Sequence, residues 1–297
     1  MRVWVTGEAG IIARSFQSYC DKTKKHEFIN SLSNDEYDYW RKDSPIKTNE
    51  IDIFDPTLET IISRSGAEII VHAAETKNKS DDNILRTNIV GSFYVSEIAK
   101  KLQIPLIYIS SPDTYKITDD LLDENCESEN SSIYTYSKSS AENLIKMMLT
   151  NYTIITPGYL YGPHDDKGFI TNLIRSHYGK VDSVEMNIDP ESPKSFLFVD
   201  DFSNLLGTVI SNQEKYNEKK LNACFEEYYS YSDIIENLEE LGLSPEFYFK
   251  DELDIIKTRR LKNSKIYNWK PKTNLLEGLE KTLEWLSNER LGHISEK

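Results

Sequence analysis

Apolar residues in this chain come in short runs separated by longer stretches in which they recur every three or four positions. Val3-Trp4-Val5, Ile69-Ile70-Val71, Leu106-Ile107-Tyr108-Ile109 and Ile154-Ile155 are runs of the first kind. A short run of this kind, rich in β-branched residues, reads as a buried strand. Strands are therefore predicted over residues 2–6, 26–30, 69–72, 106–110 and 153–156. Helical spacing predicts helices over 11–24, 57–65, 83–102 and 134–150. Strands alternating with helices imply parallel strands with crossover helices on both faces, a doubly wound α/β sheet. After Pro157 the pattern changes to one strand, 195–199, short helices over 231–241 and 275–288, and polar loops. The expected organisation is a sheet domain over 1–156, completed by about 194–212. A smaller C-terminal lobe would comprise 157–193 and 213–297. Residues beyond about 290 are expected to fray.

Composition narrows the choice of partners. The 297 residues carry a formal net charge of −14, and 38% are hydrophobic. That is apolar enough for a large core and too acidic for nucleic acid or an anionic membrane surface. A membrane span is not expected, because no apolar run approaches about 18 residues. Cys20, Cys126 and Cys224 are odd in number and scattered, which suits neither a disulfide framework nor a metal site. The first residues read as a strand and not as a leader, so a cytoplasmic setting is expected.

The turn after the first predicted strand is Gly7-Glu8-Ala9-Gly10-Ile11-Ile12-Ala13. Glycines there let a backbone approach a pyrophosphate, while the following helix offers free N–H groups and a positive dipole end. Gly7, Ala9, Gly10, Ile11 and Ile12 are thus candidate contacts for a dinucleotide. The second predicted strand ends Phe28-Ile29-Asn30-Ser31, without the acid that would bond an NAD ribose. Asn30 leaves room for a 2′-phosphate, and Lys24, Lys25 and Arg41 are possible counter-charges. The cofactor expected is NADP or NAD, with a lean to NADP. Asp52 and Ile53 are placed to touch adenine, although Asp52 also suits a turn.

Tyr134 and Lys138 stand at i and i+4 near the start of a predicted helix, so they share a face. An ammonium beside a phenol favours the phenolate, which suits a tyrosine that exchanges protons with a sugar hydroxyl as hydride moves. Tyr136 points elsewhere. The strand 106–110 runs into Ser110-Ser111-Pro112-Asp113-Thr114-Tyr115. Ser111 is a hydroxyl at the carboxyl end of a parallel strand, where open sheets bind ligands.

The glycine turn, Val71-His72-Ala73-Ala74, Asn88, Ser110-Ser111…Tyr115 and Tyr134…Lys138 occur in the order and spacing of the NAD-dependent epimerase/dehydratase family. Those enzymes are extended short-chain dehydrogenases with a Rossmann-type sheet. Pro157-Gly158-Tyr159-Leu160-Tyr161-Gly162-Pro163 is similar to a later family segment, with Thr156 where arginine is usual. Lys194-Ser195-Phe196-Leu197-Phe198-Val199-Asp200-Asp201 resembles another, and so does Asn263-Ser264-Lys265…Asn268-Trp269-Lys270-Pro271. The resemblance covers nearly the whole chain. It implies Tyr134 as acid/base, Lys138 as its partner and ribose anchor, and Ser111 as the orienting hydroxyl. Ala73, Ala74, Asn88, Ser110 and Pro157 would lie along the cofactor. Lys194, Arg259, Arg260 and Tyr161 would meet a nucleotide-sugar substrate, with Lys194 in an arginine's place. The helices over 83–102 and 134–150 would pair between subunits of a homodimer. No metal is implied.

What surrounds the tyrosine divides the family. Pro112 stands where the 4,6-dehydratases carry the acid that protonates the leaving hydroxyl. Asp113 follows, at the position of their second carboxylate, and is a candidate base or a turn residue. Epimerase or 4-keto reductase activity on a nucleotide sugar is therefore expected ahead of dehydratase activity. A reductase of a non-sugar carbonyl and a non-catalytic cofactor sensor are the remaining alternatives.

Overall fold

A computed structural model of the chain describes residues 1–29, 52–77, 79–254 and 259–292. Asn30 and Arg41 lie outside the described residues, and with them the ribose end of the cofactor reading. Strands β1 (Arg2–Thr6), β2 (Glu27–Ile29), β3 (Ile69–His72), β4 (Leu106–Ile109) and β6 (Tyr152–Pro157) belong to one six-stranded sheet. Its order is β10-β6-β4-β3-β1-β2, with β10 (Lys219–Ala223) at one edge. The pairings of β1 with β2 and β3, of β3 with β4 and of β4 with β6 are all parallel. The predicted strands agree with these to within two residues at each end.

Alternation along each strand divides the core in two. Trp4, Ile70, Leu106, Tyr108 and Ile154 pack on one side with Leu58, Ile61, Ile62, Val95, Ile98, Ala141 and Ile145. Those partners come from α2 (Leu58–Ser65), α4 (Ser92–Leu102) and α5 (Ile133–Met148). α1 (Ile11–Thr23) buries Phe16 fully, and its Ser15 hydroxyl bonds Ser203 at 2.9 Å. The expected helix over 83–102 begins earlier and is not uniform. A short α3 (Asp81–Leu85) passes into a π-helical turn, Arg86–Gly91, before α4.

The contacts divide the chain into two units. The first holds Met1–Thr114, Ser128–Thr156 and Ser203–Leu221; the second holds Tyr115–Glu127, Pro157–Phe202 and Asn222–Lys297. Two expected boundaries move. Residues 115–127 belong to the second unit, because Leu121–Leu122 (β5) pairs with Arg260–Leu261 (β12). The segment that completes the first unit begins at Ser203 and not near 194. The second unit contains two further strand pairs. One joins β7 (Tyr159–Tyr161) to β9 (Phe196–Phe198), and the other β8 (Val184–Ile188) to β11 (Phe247–Asp254). Its core gathers Ile170, Leu173, Ile174, Met186, Ile234, Leu238 and Leu279. α6 (Phe169–His177), missed in the periodicity, supplies three of them. The terminal helix runs to Gly292, past the expected end at 288.

Candidate active site

β1 ends at Thr6 and the chain turns at once through Gly7, whose φ is +79°. A side chain there is excluded twice. The conformation is left-handed, and a Cβ would stand 2.8 Å from the backbone N of Ala74. That close approach places the glycine turn beside the segment that leaves β3. Ala9 and Gly10 are exposed, Ile11 and Ile12 half-buried, and Gly10 precedes α1 with no side chain capping the helix. The free N–H groups and the missing side chain fit a pyrophosphate. A dinucleotide would be held by Gly7, Ala9, Gly10 and the first turn of α1.

The segment after β3 is clamped on both sides of one residue. The Ala74 N–H donates to Thr6 Oγ1 at 3.2 Å. The Thr76 N–H donates to Asn88 Oδ1 at 2.9 Å, and Asn88 Nδ2 donates to Thr76 O and to Ser137 Oγ, each at 2.9 Å. Asn88, which the resemblance makes a structural polar residue in the helix before the catalytic strand as well as a cofactor neighbour, is a buried tie between this segment and α5. Between the clamps stands Glu75, which the sequence reading did not single out. Its carboxylate accepts from the Tyr134 phenol at 3.1 Å and pairs with Lys138 Nζ at 2.8 Å. The sequence puts Glu75 directly after Ala73-Ala74, at the carboxyl edge of the sheet, but gives no sign that it meets Tyr134.

α5 starts at a capping box, in which the Ser132 hydroxyl accepts from Thr135 N and the Thr135 hydroxyl accepts from Ser132 N. This fixes the helix register, so Tyr134 and Lys138 turn inward while Tyr136 stays 48% exposed. Lys138 Nζ also donates to Ile109 O at 2.7 Å and lies 4.6 Å from the centre of the Tyr108 ring. Ser111 accepts from the Asp113 N–H at 3.2 Å and hydrogen-bonds the Tyr134 phenol. Asp113 pairs with Lys77 at 2.7 Å, and the same ammonium lies 4.8 Å from the centre of the Tyr134 ring. The structure thus assembles Ser111, Asp113, Tyr134 and Lys138 and adds Glu75 and Lys77.

The electrostatics differ from the sequence expectation in one respect. Lys138 was expected to lower the Tyr134 pKa. Burial and then the Glu75 charge push it the other way, above the ordinary phenol value, against the smaller pull of Lys138 and Ser111. Burial alone would depress Lys138, but Glu75, Tyr108 and Tyr134 together outweigh it and hold the ammonium charged. The resting pair is a neutral phenol beside a permanent cation.

Several predicted contacts fall elsewhere. Ser110 donates to the buried Glu142, which Lys220 pairs at 3.0 Å, so it serves packing behind β4. Asp52 Oδ1 accepts from Phe54 N at 2.9 Å, a turn contact, and Ile53 packs against the sheet core. Pro157 is the last residue of β6. In the second unit, Tyr161 is a core residue packed on Phe196 and Phe198. Arg259 is buried and donates to Tyr115 O at 3.0 Å, and Arg260 donates to Asp119 O. Lys194 is buried, donates to Tyr231 Oη at 3.2 Å and lies over the Tyr159 and Tyr231 rings.

The profile of the NAD dependent epimerase/dehydratase family matches residues 3–224. The chain belongs to that family. A dTDP-D-glucose 4,6-dehydratase of Dictyostelium discoideum is 24% identical over an alignment of 264 residues that covers 76% of this chain and 59% of that protein. The chain therefore spans under two thirds of this curated relative. Among solved structures, MoeE5 in complex with UDP-glucuronic acid and NAD superposes with a TM-score of 0.81 at 19% identity, over 97% of this chain and 100% of the other. A UDP-glucose 4-epimerase of Thermotoga maritima with UDP-glucose gives 0.78 at 21% identity, over 98% and 100%. At such identity these structures show the family fold, and the chemistry must be argued from the residues. No helix among the described residues is long and apolar enough to cross a membrane.

Proposed function

We propose that this protein is an NAD-dependent enzyme that acts at a ring carbon of a nucleotide-linked sugar, as a 4-epimerase or a 4-keto reductase. The observation that carries this is the cluster at the carboxyl ends of β3 and β4. There the phenol of Tyr134 meets Ser111, Glu75 and Lys138. Bound NAD would supply a hydride acceptor or donor. Everything else falls to the chain. Tyr134 exchanges a proton with the reacting sugar oxygen, and Ser111 orients that oxygen. Lys138, charged throughout, is the cation for a ribose hydroxyl and for any phenolate that forms. NAD takes precedence over NADP because MoeE5 was solved with NAD. Of the residues that favoured a 2′-phosphate, Asn30 and Arg41 lie outside the described segments, and Lys24 pairs with Asp21 at 3.8 Å. In the second unit, Lys194 is the proposed diphosphate cation. The buried Tyr161 and the backbone-engaged Arg259 and Arg260 support the fold of that unit.

Asp113 gives a second reading some support. Its carboxylate pairs with Lys77 at 2.7 Å and suits removal of a proton beside a 4-keto group, and the curated relative is a 4,6-dehydratase. Pro112 supplies no acid for the leaving hydroxyl, so this reading ranks below the first. Incubation with UDP- and dTDP-sugars and their 4-keto derivatives, followed by mass spectrometry, separates them. Loss of one water from the sugar identifies a dehydratase. Gain of two hydrogens at the expense of reduced nicotinamide identifies a reductase. An isobaric change identifies an epimerase.

A further inference from the structure

Tyr134 and Lys138 are sealed from water, with 7% and 2% of their surfaces exposed. Their shared partner is not: the Glu75 side chain is 41% exposed. One carboxylate therefore touches the buried phenol at 3.1 Å and reaches solvent at the same time. It is held there by design of the backbone. Thr6 fixes Ala74 on one side, and Asn88 fixes Thr76 on the other. A side chain that merely neutralised Lys138 would need no such double clamp and no bond to the phenol.

We propose that Glu75 is the proton conduit between Tyr134 and solvent, and that the site is built for net reduction of a keto sugar. This rests on Tyr134 being the acid/base. An epimerisation returns the proton it removes and needs no exchange with water. A reduction consumes one proton per turnover. In that direction the substrate carbonyl carbon accepts hydride from reduced nicotinamide, which is oxidised. The carbonyl oxygen takes the phenol proton of Tyr134. The Glu75 carboxylate then takes a proton from solvent and passes it to the phenolate, which returns both groups to their resting state. One carbonyl, one hydride and one proton give one carbinol. Glu75 touches no reacting atom and acts through Tyr134. The other charged groups around the phenol are Lys138, which is 2% exposed, Lys77, which lies over the ring, and Asp113, which pairs with Lys77.

Glu75→Gln keeps the shape and removes the carboxylate that can take up and release a proton. The buried Lys138 loses its counter-charge in this variant, so its folded state is first verified by circular dichroism and urea denaturation, with Glu75→Asp as the charge-conserving companion. The first measurement uses ligand-free protein with ring-labelled tyrosine, the Tyr134 resonance being identified by its absence in Tyr134→Phe. The Tyr134 phenolate should form at lower pH in Glu75→Gln than in wild type, and Glu75→Asp should return it toward wild type. The second measures reduction of a nucleotide 4-keto sugar. The kcat of Glu75→Gln should fall about 100-fold, within the range for a proton-transfer group, with KM little changed. Added formate should restore part of it. Unaltered phenol titration, or a kcat loss that neither formate nor Glu75→Asp restores, overturns the conduit. An active Tyr134→Phe enzyme instead overturns the acid/base assignment beneath it.

Discussion

Replacing Tyr134 with phenylalanine removes one oxygen from a ring that is 7% exposed. The ring keeps its packing, so no cavity opens. What disappears is the hydrogen bond to Glu75 at 3.1 Å and that to Ser111. Glu75 stays paired with Lys138 and hydrated, so no charge is stranded. A lost hydrogen bond of this kind is worth about 1 kcal/mol in stability, and removal of the burial cost of the polar oxygen offsets part of that. Turnover should behave otherwise. A positioned proton-transfer group contributes about 10²- to 10⁴-fold, or roughly 3–5 kcal/mol of barrier. The assay is nicotinamide absorbance under saturating substrate, run beside urea denaturation and NAD titration of the same variant. Activity should fall by at least about 100-fold, while stability and NAD affinity stay near wild type. Tyr136→Phe is the control, because that side chain is 48% exposed. Tyr134→Phe with most of its activity, or Tyr136→Phe without, would refute the register on which Lys138 and Glu75 also depend.

Gly7→Ala should weaken NAD binding at least about tenfold in a fluorescence titration, since it forces a left-handed alanine, costing roughly 1–2 kcal/mol, into backbone 2.8 Å away; wild-type affinity would show that the turn does not hold the cofactor. His72 is buried between Thr6 Oγ1 and Ser92 Oγ, and burial, then the Lys138 charge, holds its pKa down at about 3. Its folded pKa lies below the unfolded value, so the unfolded state binds the extra proton and stability is lost as pH falls below about 6.5. Between pH 7 and 5 this amounts to about 2 kcal/mol. Asp165, which burial pushes up to about 6, acts with the opposite sign below that pH. Denaturation curves that coincide at pH 7 and 5 in a His72-containing, Asp165→Asn protein would contradict the assignment. Val90, Phe93 and Tyr94 are exposed at 42%, 40% and 48%, and Met147 on α5 at 87%. Sedimentation at micromolar concentration should give a dimer that the Phe93→Glu/Tyr94→Glu variant dissociates, and a monomeric wild type would exclude that interface.

The centre of the sheet was legible because β1, β3, β4 and β6 carry short apolar runs, and such runs fix where a fully buried strand lies; the edge strand β10, Lys-Lys-Leu-Asn-Ala, carries none and was not predicted. Tyr134 and Lys138 were legible because helical spacing alone puts them on one face. Glu75 was not, because nothing in local spacing says that a residue leaving β3 will meet a side chain from α5. That meeting depends on the Asn88 clamp, a contact across 12 positions of sequence. Ser110 and Tyr161 misled for a related reason. Each belongs to a motif that faces a ligand, yet its own side chain turns into packing, toward Glu142 and toward Phe198. The capping box at Ser132 and Thr135 was equally visible in the letters, but its hydroxyl partner at the third helical position is not the usual glutamate or glutamine.

The π-helical turn at Arg86–Gly91 makes the length of this part of the chain matter more than its composition. A wider turn holds one residue beyond the α-helical count. Deleting any single residue there would restore ordinary winding and rotate everything before it by about 100° relative to α4. Ile84 would leave the core, and Asn88 would no longer meet Thr76 and Ser137 while Ser92 meets His72. Point substitutions at the exposed positions of this turn should pass a selection for activity. One-residue deletions should not, so in a library that mixes both, the exposed positions of this turn would drift in identity while Asn88, Gly91 and the number of residues stay fixed.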